Sequence, residues 1–103
     1  MGKLRPGDVV IIGSPVKPGR MVTKRLIGME GDQVTYVVDP MNSDRCQTIV
    51  VPKGHVWVEG DNIYASKDSR VYGAIPYGLI RGKAFWKVLP RKDFGAVASK
   101  PRE

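Results

Sequence analysis

Turn-forming residues divide this chain into short segments, and this division restricts its fold more than any other feature. Twelve glycines and eight prolines occur in 103 residues. Proline interrupts helices and glycine favours turns, so their spacing leaves no room for a long helix. No segment repeats apolar residues at the helical period of about 3.6, whereas several show β-branched runs or alternation. The sequence therefore predicts a mostly β fold of curved antiparallel sheets in a partly closed barrel.

The predicted strands lie between these turn signals. They cover residues 9–12, 21–29, 33–38, 48–51, 55–59 and 83–89, with a short segment at 75–80. Residues 60–73 are expected to form a long polar loop. We expect one domain over residues 1–96 and a disordered tail at 97–103.

The composition excludes several kinds of site. Cys46 is the only cysteine and His55 the only histidine, which rules out an intrachain disulfide and most His/Cys metal sites. We expect no metal and no other cofactor. No apolar run reaches the ~18–20 residues of a membrane-spanning helix. The net charge of +7 permits contact with anionic lipid or nucleic acid, although a solvated basic surface explains it more simply.

One lysine falls on an apolar face of a predicted strand. Side chains alternate between the two faces, so Val22, Lys24 and Leu26 share one face of the strand predicted at 21–29. Apolar neighbours disfavour the ammonium ion and lower the pKa of a lysine, as a general base near neutral pH requires. The alternative is a lysine at a strand edge whose amine reaches solvent. A single lysine in a strand does not decide between the two.

The polar segment 60–70 is dense in side chains that support catalysis. Asp68 and Arg70 are spaced to pair and to set the shape of the loop. The hydroxyl of Ser66 or Ser69 is placed to hydrogen-bond a neutral amine and to hold it in one rotamer, as a catalytic lysine requires. The alternative is a loop whose polar side chains satisfy only one another.

Three segments together resemble the type I signal peptidase family. Residues 5–10 resemble the block that precedes its catalytic lysine. Residues 22–32 carry the Lys24-Arg25 pair and a Gly-x-x-Gly-Asp turn, and residues 51–73 resemble the last conserved block. The three occur in the order of the family, which is far more specific than any one of them.

The resemblance implies a serine protease with a Ser-Lys pair that removes N-terminal targeting segments. It implies that Lys24 is the general base and that Ser66 hydrogen-bonds to it. The family fold is mostly β and is shared with self-cleaving LexA-type repressor domains. The supporting ion pairs that it implies are Arg25 with Asp61 and Asp68 with Arg70.

A lysine at position 24, together with segments 75–82 and 93–95, resembles the mitochondrial inner membrane proteases of this family, subunit 1 type. Endoplasmic reticulum members have histidine at that position. This resemblance implies a location at the mitochondrial inner membrane, facing the intermembrane space. It also implies presequence peptides as substrates, a second protease subunit as partner and membrane attachment through a segment absent from this chain. No nucleic acid partner is implied.

The nucleophile of the family lies in a Ser-Met motif, and this chain contains no Ser-Met pair. We therefore expect that the N-terminal part bearing the serine is missing and that the chain is inactive alone. Three explanations are open: a fragment or incompletely assembled gene, a non-catalytic paralogue that docks on a partner subunit, or a divergent enzyme using Ser66 or Ser69. A small basic β-barrel that binds single-stranded nucleic acid is a remoter alternative.

Overall fold

The computed structural model describes residues 3–42, 44–61 and 67–84 of the chain. Antiparallel strands dominate this part, as the sequence predicts. Its elements are β1 (Val9–Gly13), β2 (Met21–Met29), β3 (Gln33–Val37), β4 (Cys46–Val50), β5 (His55–Glu59), helix α1 (Ser69–Tyr72), β6 (Ile75–Pro76), a 3₁₀ turn (Tyr77–Leu79) and β7 (Ile80–Lys83).

The strands form two antiparallel sheets. The larger has five strands in the order β6-β5-β2-β1-β7, and β3 pairs with β4 in a separate two-stranded ribbon. The fourth strand begins at Cys46, two residues earlier than predicted. Strand β7 spans Ile80–Lys83 and so overlaps the strand predicted at 83–89 only at Lys83. Residues 85–89 and the predicted tail lie outside the described residues.

Helix α1 corrects the prediction of an irregular loop at 60–73. It has four residues, which is too short to produce a helical period in the sequence. Its start depends on a cap, because the carboxylate of Asp68 accepts a hydrogen bond of 2.9 Å from the amide of Arg70. Gly73 ends the helix with a positive φ of 87°, a conformation that glycine adopts without strain.

The five-stranded sheet is strongly curved. Its edge strands β6 and β7 are joined only by the 3₁₀ turn Tyr77–Leu79. The four steps from Pro76 to Ile80 can span at most about 14 Å. A flat five-stranded sheet would place its edges about 19 Å apart. The sheet must therefore roll and bring its edges together, although β6 and β7 do not pair within the described residues.

Rolling the sheet creates two separate apolar clusters. The inner core lies inside the curve and collects buried side chains from β1, β2, β5, β6 and β7. Its members are Leu4, Val10, Ile12, Val22, Leu26, Val56, Val58, Ile75 and Ile80. The outer core consists of Val34, Val51 and Trp57 and lies under the β3–β4 ribbon. Both faces of β5 are thus covered, which explains its continuous run of buried residues.

A bulge in β2 connects the two cores. Its pairing with β5 shifts between Leu26 and Gly28, which places Ile27 as an extra residue. Leu26 packs into the inner core, whereas Ile27 packs against the outer core. Gly28 also faces the outer core, since a Cβ there would lie 2.8 Å from Cγ2 of Val34.

Replacing Gly28 with alanine should lower the free energy of unfolding by about 1–3 kcal/mol, because the added methyl overpacks the outer core. Urea titration of both proteins measures the loss. Gly82→Ala is the matched control, since Gly82 also lies in a strand and a Cβ there would meet nothing within 4 Å. Equal losses in the two variants would contradict the tight packing at Gly28.

The turn before β1 is held by the carboxylate of Asp8. Its Oδ2 accepts a hydrogen bond of 2.9 Å from the amide of Arg5 and lies 3.3 Å from Nζ of Lys83. The amide of Arg5 and, to a smaller extent, the Lys83 ammonium hold the pKa of Asp8 below its ordinary value of 3.8.

A carboxyl with a depressed pKa contributes stability above its unfolded pKa, and this contribution is lost as the pH falls through its folded pKa. We therefore expect Asp8→Asn to reduce the acid-dependent loss of stability below about pH 4. Thermal unfolding of both proteins from pH 6 down to pH 2 measures the effect. Parallel curves over this range would show that Asp8 gives no such contribution.

Candidate active site

Lys24 lies inside the curved sheet. The residue is 3% exposed, and buried and partly exposed residues alternate along β2 as predicted. Val22 and Leu26 flank Lys24 on its face, and Val10 is its cross-strand partner on β1. The alternative of an edge lysine reaching solvent is wrong, because β2 is the central strand of the sheet.

The pairing of β2 with β5 stops beside Lys24. Arg25 and Glu59 form the last pair of this ladder. Lys24 therefore lies level with Gly60, the residue that follows β5. The amide of Gly60 donates to Oδ2 of Asp68 at 2.7 Å, and its carbonyl accepts from Nη2 of Arg70 at 2.9 Å. Both polar groups of Gly60 are therefore bound by side chains instead of the neighbouring strand.

Asp68 and Arg70 form a buried ion pair. The side chain of Asp68 is 0% exposed and that of Arg70 is 11% exposed, and Nη2 lies 2.6 Å from Oδ2. Nε of Arg70 donates to Oδ1 at 3.0 Å, so the contact is a two-point fork. This hydrogen bonding with Asp68 raises the pKa of Arg70 above its ordinary value. The carboxylate is satisfied by four donors, which makes its burial tolerable.

Arg25 and Asp61 form a second, exposed ion pair. Their side chains are 41% and 77% exposed, and Nε lies 3.2 Å from Oδ1. Nη1 of Arg25 also donates to the carbonyl of Gly7 at 2.9 Å. Arg25 therefore joins the turn before β1 to the segment after β5. The three segments recognised in the sequence meet at this point, on both sides of Lys24.

The serines predicted as candidates have different outcomes. Ser66 lies outside the described residues. Ser69 is 1% exposed, and its hydroxyl oxygen accepts a hydrogen bond of 3.0 Å from the amide of Val58, which fixes α1 beneath β5. Ser14, which was not one of these candidates, shapes a turn, since its hydroxyl oxygen accepts hydrogen bonds from the amides of Val16 and Lys17.

Sequence reasoning missed Glu59. Oε2 of Glu59 accepts a hydrogen bond of 2.8 Å from the indole of Trp57, and Oε1 lies 3.8 Å from Nη1 of Arg70. The sequence feature that could have identified Glu59 is its spacing from Trp57, which places both side chains on one face of β5.

In the part of the chain that the structure describes, no three side chains of His, Cys, Asp or Glu cluster as metal ligands. Nor does any helix among residues 3–42, 44–61 and 67–84 have the length and hydrophobicity to cross a membrane.

The chain is similar in sequence to known proteins. The sequence pattern of the family described as signal peptidase, peptidase S26, matches residues 36–89. Mitochondrial ATP-independent inner membrane protease subunit 1a of Arabidopsis thaliana is 53% identical over 96 residues, which cover 93% of this chain and 57% of the relative. Mitochondrial inner membrane protease subunit 1 of Homo sapiens is 47% identical over 98 residues, covering 95% of this chain and 58% of the relative.

A solved structure shares the fold. The crystal structure of a signal peptidase I from Enterococcus faecalis V583 superposes with a TM-score of 0.69 at 24% identity, covering 82% of this chain and 99% of the other. The chain spans less than two thirds of the length of the curated relatives named above. The matching pattern, the relatives and the shared fold agree with the resemblance seen in the sequence: the chain belongs to the signal peptidase family, peptidase S26.

Proposed function

We propose that this chain carries the general base of a serine–lysine peptidase that removes N-terminal targeting segments from mitochondrial proteins. The observation that carries the proposal is the burial of Lys24 among Val10, Val22 and Leu26 on the central strand. Apolar surroundings disfavour a charge on a buried amine. A neutral amine held rigidly by a sheet is what a general base requires.

In this proposal the amine of Lys24 takes the proton from a serine hydroxyl as the hydroxyl oxygen attacks the scissile carbonyl. The resulting ammonium then returns the proton to the leaving amine. In this proposal the nucleophile is a serine outside these 103 residues, which contain no Ser-Met pair. Ser66 is proposed to orient the amine of Lys24 by a hydrogen bond.

The two ion pairs have supporting roles in the proposal. Asp68 and Arg70 bind both polar groups of Gly60, level with Lys24, and thereby fix where the segment after β5 departs. Arg25, the neighbour of Lys24, binds Asp61 at the start of that segment. Together they would hold Gly60 and Asp61 in place beside the amine.

The relatives named as mitochondrial inner membrane protease subunits favour a place in a protease complex of that membrane. We extend the proposal to a site facing the intermembrane space, a second protease subunit as partner and membrane attachment through a segment outside these residues. Targeting presequences are the proposed substrates. No cofactor and no nucleic acid are part of the proposed reaction.

The test is cleavage of a targeting-segment peptide by the assembled protease that contains this chain, with the products identified by mass. Cleavage should occur at one site and should disappear in Lys24→Ala. An assembled protease in which Lys24→Ala cleaves as fast as the unmodified chain would contradict the proposal. It would favour the alternative of a non-catalytic subunit.

A further inference from the structure

The carboxylate of Glu59 occupies a position between the outer core and the Asp68–Arg70 pair. Trp57 and Glu59 lie two residues apart on β5 and therefore share a face. Trp57 is buried at 3% exposure, so its indole N–H needs an acceptor inside the protein, and Oε2 of Glu59 supplies one at 2.8 Å. Trp57 also packs on Tyr36 of β3, with ring centroids 4.9 Å apart.

The second oxygen of Glu59 faces the remaining side of the Arg70 guanidinium. The carboxylate of Asp68 accepts hydrogen bonds from Nε and Nη2 of Arg70, and the carbonyl of Gly60 accepts a further one from Nη2. Oε1 of Glu59 lies 3.8 Å from Nη1. The guanidinium is thus enclosed on three sides. Since the side chain of Glu59 is only 18% exposed, solvent screens this attraction incompletely.

The contact between Glu59 and Arg70 lies next to the proposed catalytic lysine. Glu59 forms the last pair of the β2–β5 ladder with Arg25, and the next level holds Gly60 and Lys24. Gly60 is bound through Asp68 and Arg70. A shift of the guanidinium would therefore move Gly60 and the segment that leaves it beside the buried amine.

We propose that Glu59 is a positioning residue: it orients the Arg70 guanidinium, which holds Gly60 in place beside Lys24. Its relevance to catalysis rests on the proposed function, whereas its effect on Gly60 does not. The hydrogen bond from the Trp57 indole holds the Glu59 carboxylate against the outer core. The carboxylate in turn orients the Arg70 guanidinium, which donates to the carbonyl of Gly60.

The first test is amide hydrogen exchange by NMR in Glu59→Gln. Glutamine keeps an oxygen for the indole of Trp57 but removes the charge that faces Arg70. Exchange of the Gly60 amide should accelerate about tenfold relative to that of the Leu26 amide, a backbone-bonded amide of the central strand. General destabilisation would accelerate both amides equally and would contradict the proposal.

Two control variants separate the contacts of Glu59. Asp44→Asn removes the same charge at an exposed position and should leave the ratio of the two exchange rates unchanged. Trp57→Phe removes the indole donor together with part of the ring, so it loosens the anchor of the carboxylate but keeps its charge. It should change this ratio in the same direction as Glu59→Gln, by a smaller factor. A ratio in Glu59→Gln equal to that in Asp44→Asn would overturn the proposal.

A second measurement tests the contact even if the Glu59→Gln variant does not fold. In the unmodified chain, nuclear Overhauser contacts should join the guanidinium protons of Arg70 to the side chain of Glu59, and their absence would overturn the proposal.

In the assembled protease, Glu59→Gln should lower kcat about tenfold with little change in KM, because the site is displaced while binding is kept. An unchanged kcat would overturn the catalytic relevance, and an inactive unmodified protease would contradict the proposed function instead.

Discussion

Replacing Lys24 with methionine should lower kcat/KM for peptide cleavage by the assembled protease by about a thousandfold and should also make the domain more stable. Removing a general base typically costs two to four orders of magnitude in rate. Methionine has a similar length and carries no polar group, so it suits the apolar surroundings of Val10, Val22 and Leu26. We expect a gain of about 1–2 kcal/mol in the free energy of unfolding.

The opposite signs of these two effects distinguish a catalytic lysine from a structural one. If Lys24 had a structural role only, its replacement would lower both the activity and the stability of the protein. Lys53→Met is the matched control, because Lys53 is exposed in the turn before β5 and should affect neither quantity. Peptide cleavage kinetics and thermal unfolding measure the two effects. A Lys24→Met protein that cleaves normally would refute the role assigned to this residue.

Replacing Asp68 with alanine should produce the largest loss of stability, about 3–5 kcal/mol, because it leaves the guanidinium of Arg70 without its main partner in a buried site. The same change removes the cap of α1 and the acceptor for the Gly60 amide. For a domain of this size the melting temperature should fall by more than about 12 °C.

The exposed ion pair provides the comparison. Asp61→Ala removes the partner of Arg25 but should cost less than about 1 kcal/mol, because solvent screens a pair of this exposure. The double variant of Asp68→Ala with Arg70→Met should lose less stability than the sum of the two single variants, since both charges then disappear. Chemical denaturation of these four variants and of the unmodified protein measures these differences. Equal losses for Asp61 and Asp68 would show that burial does not determine the strength of the pairs.

The sequence predicted the fold class and most strands because these depend on local properties. Alternation along β2 placed Lys24 with Val22 and Leu26, and turn residues marked the strand ends. The same local reasoning missed α1, which depends on a cap by Asp68 rather than on an apolar period. It also missed the bulge at Ile27, because a bulge is a mismatch between two strands.

The sequence by itself determined which side chains share a face of a strand and which segments resemble the signal peptidase family. Only the tertiary structure decided that the face with Lys24 points into the core, because burial depends on which strands lie on either side of β2. Alternation cannot tell a central strand from an edge strand. The contact of Glu59 with Arg70 likewise arises from the packing of α1 against β5, which no local pattern specifies.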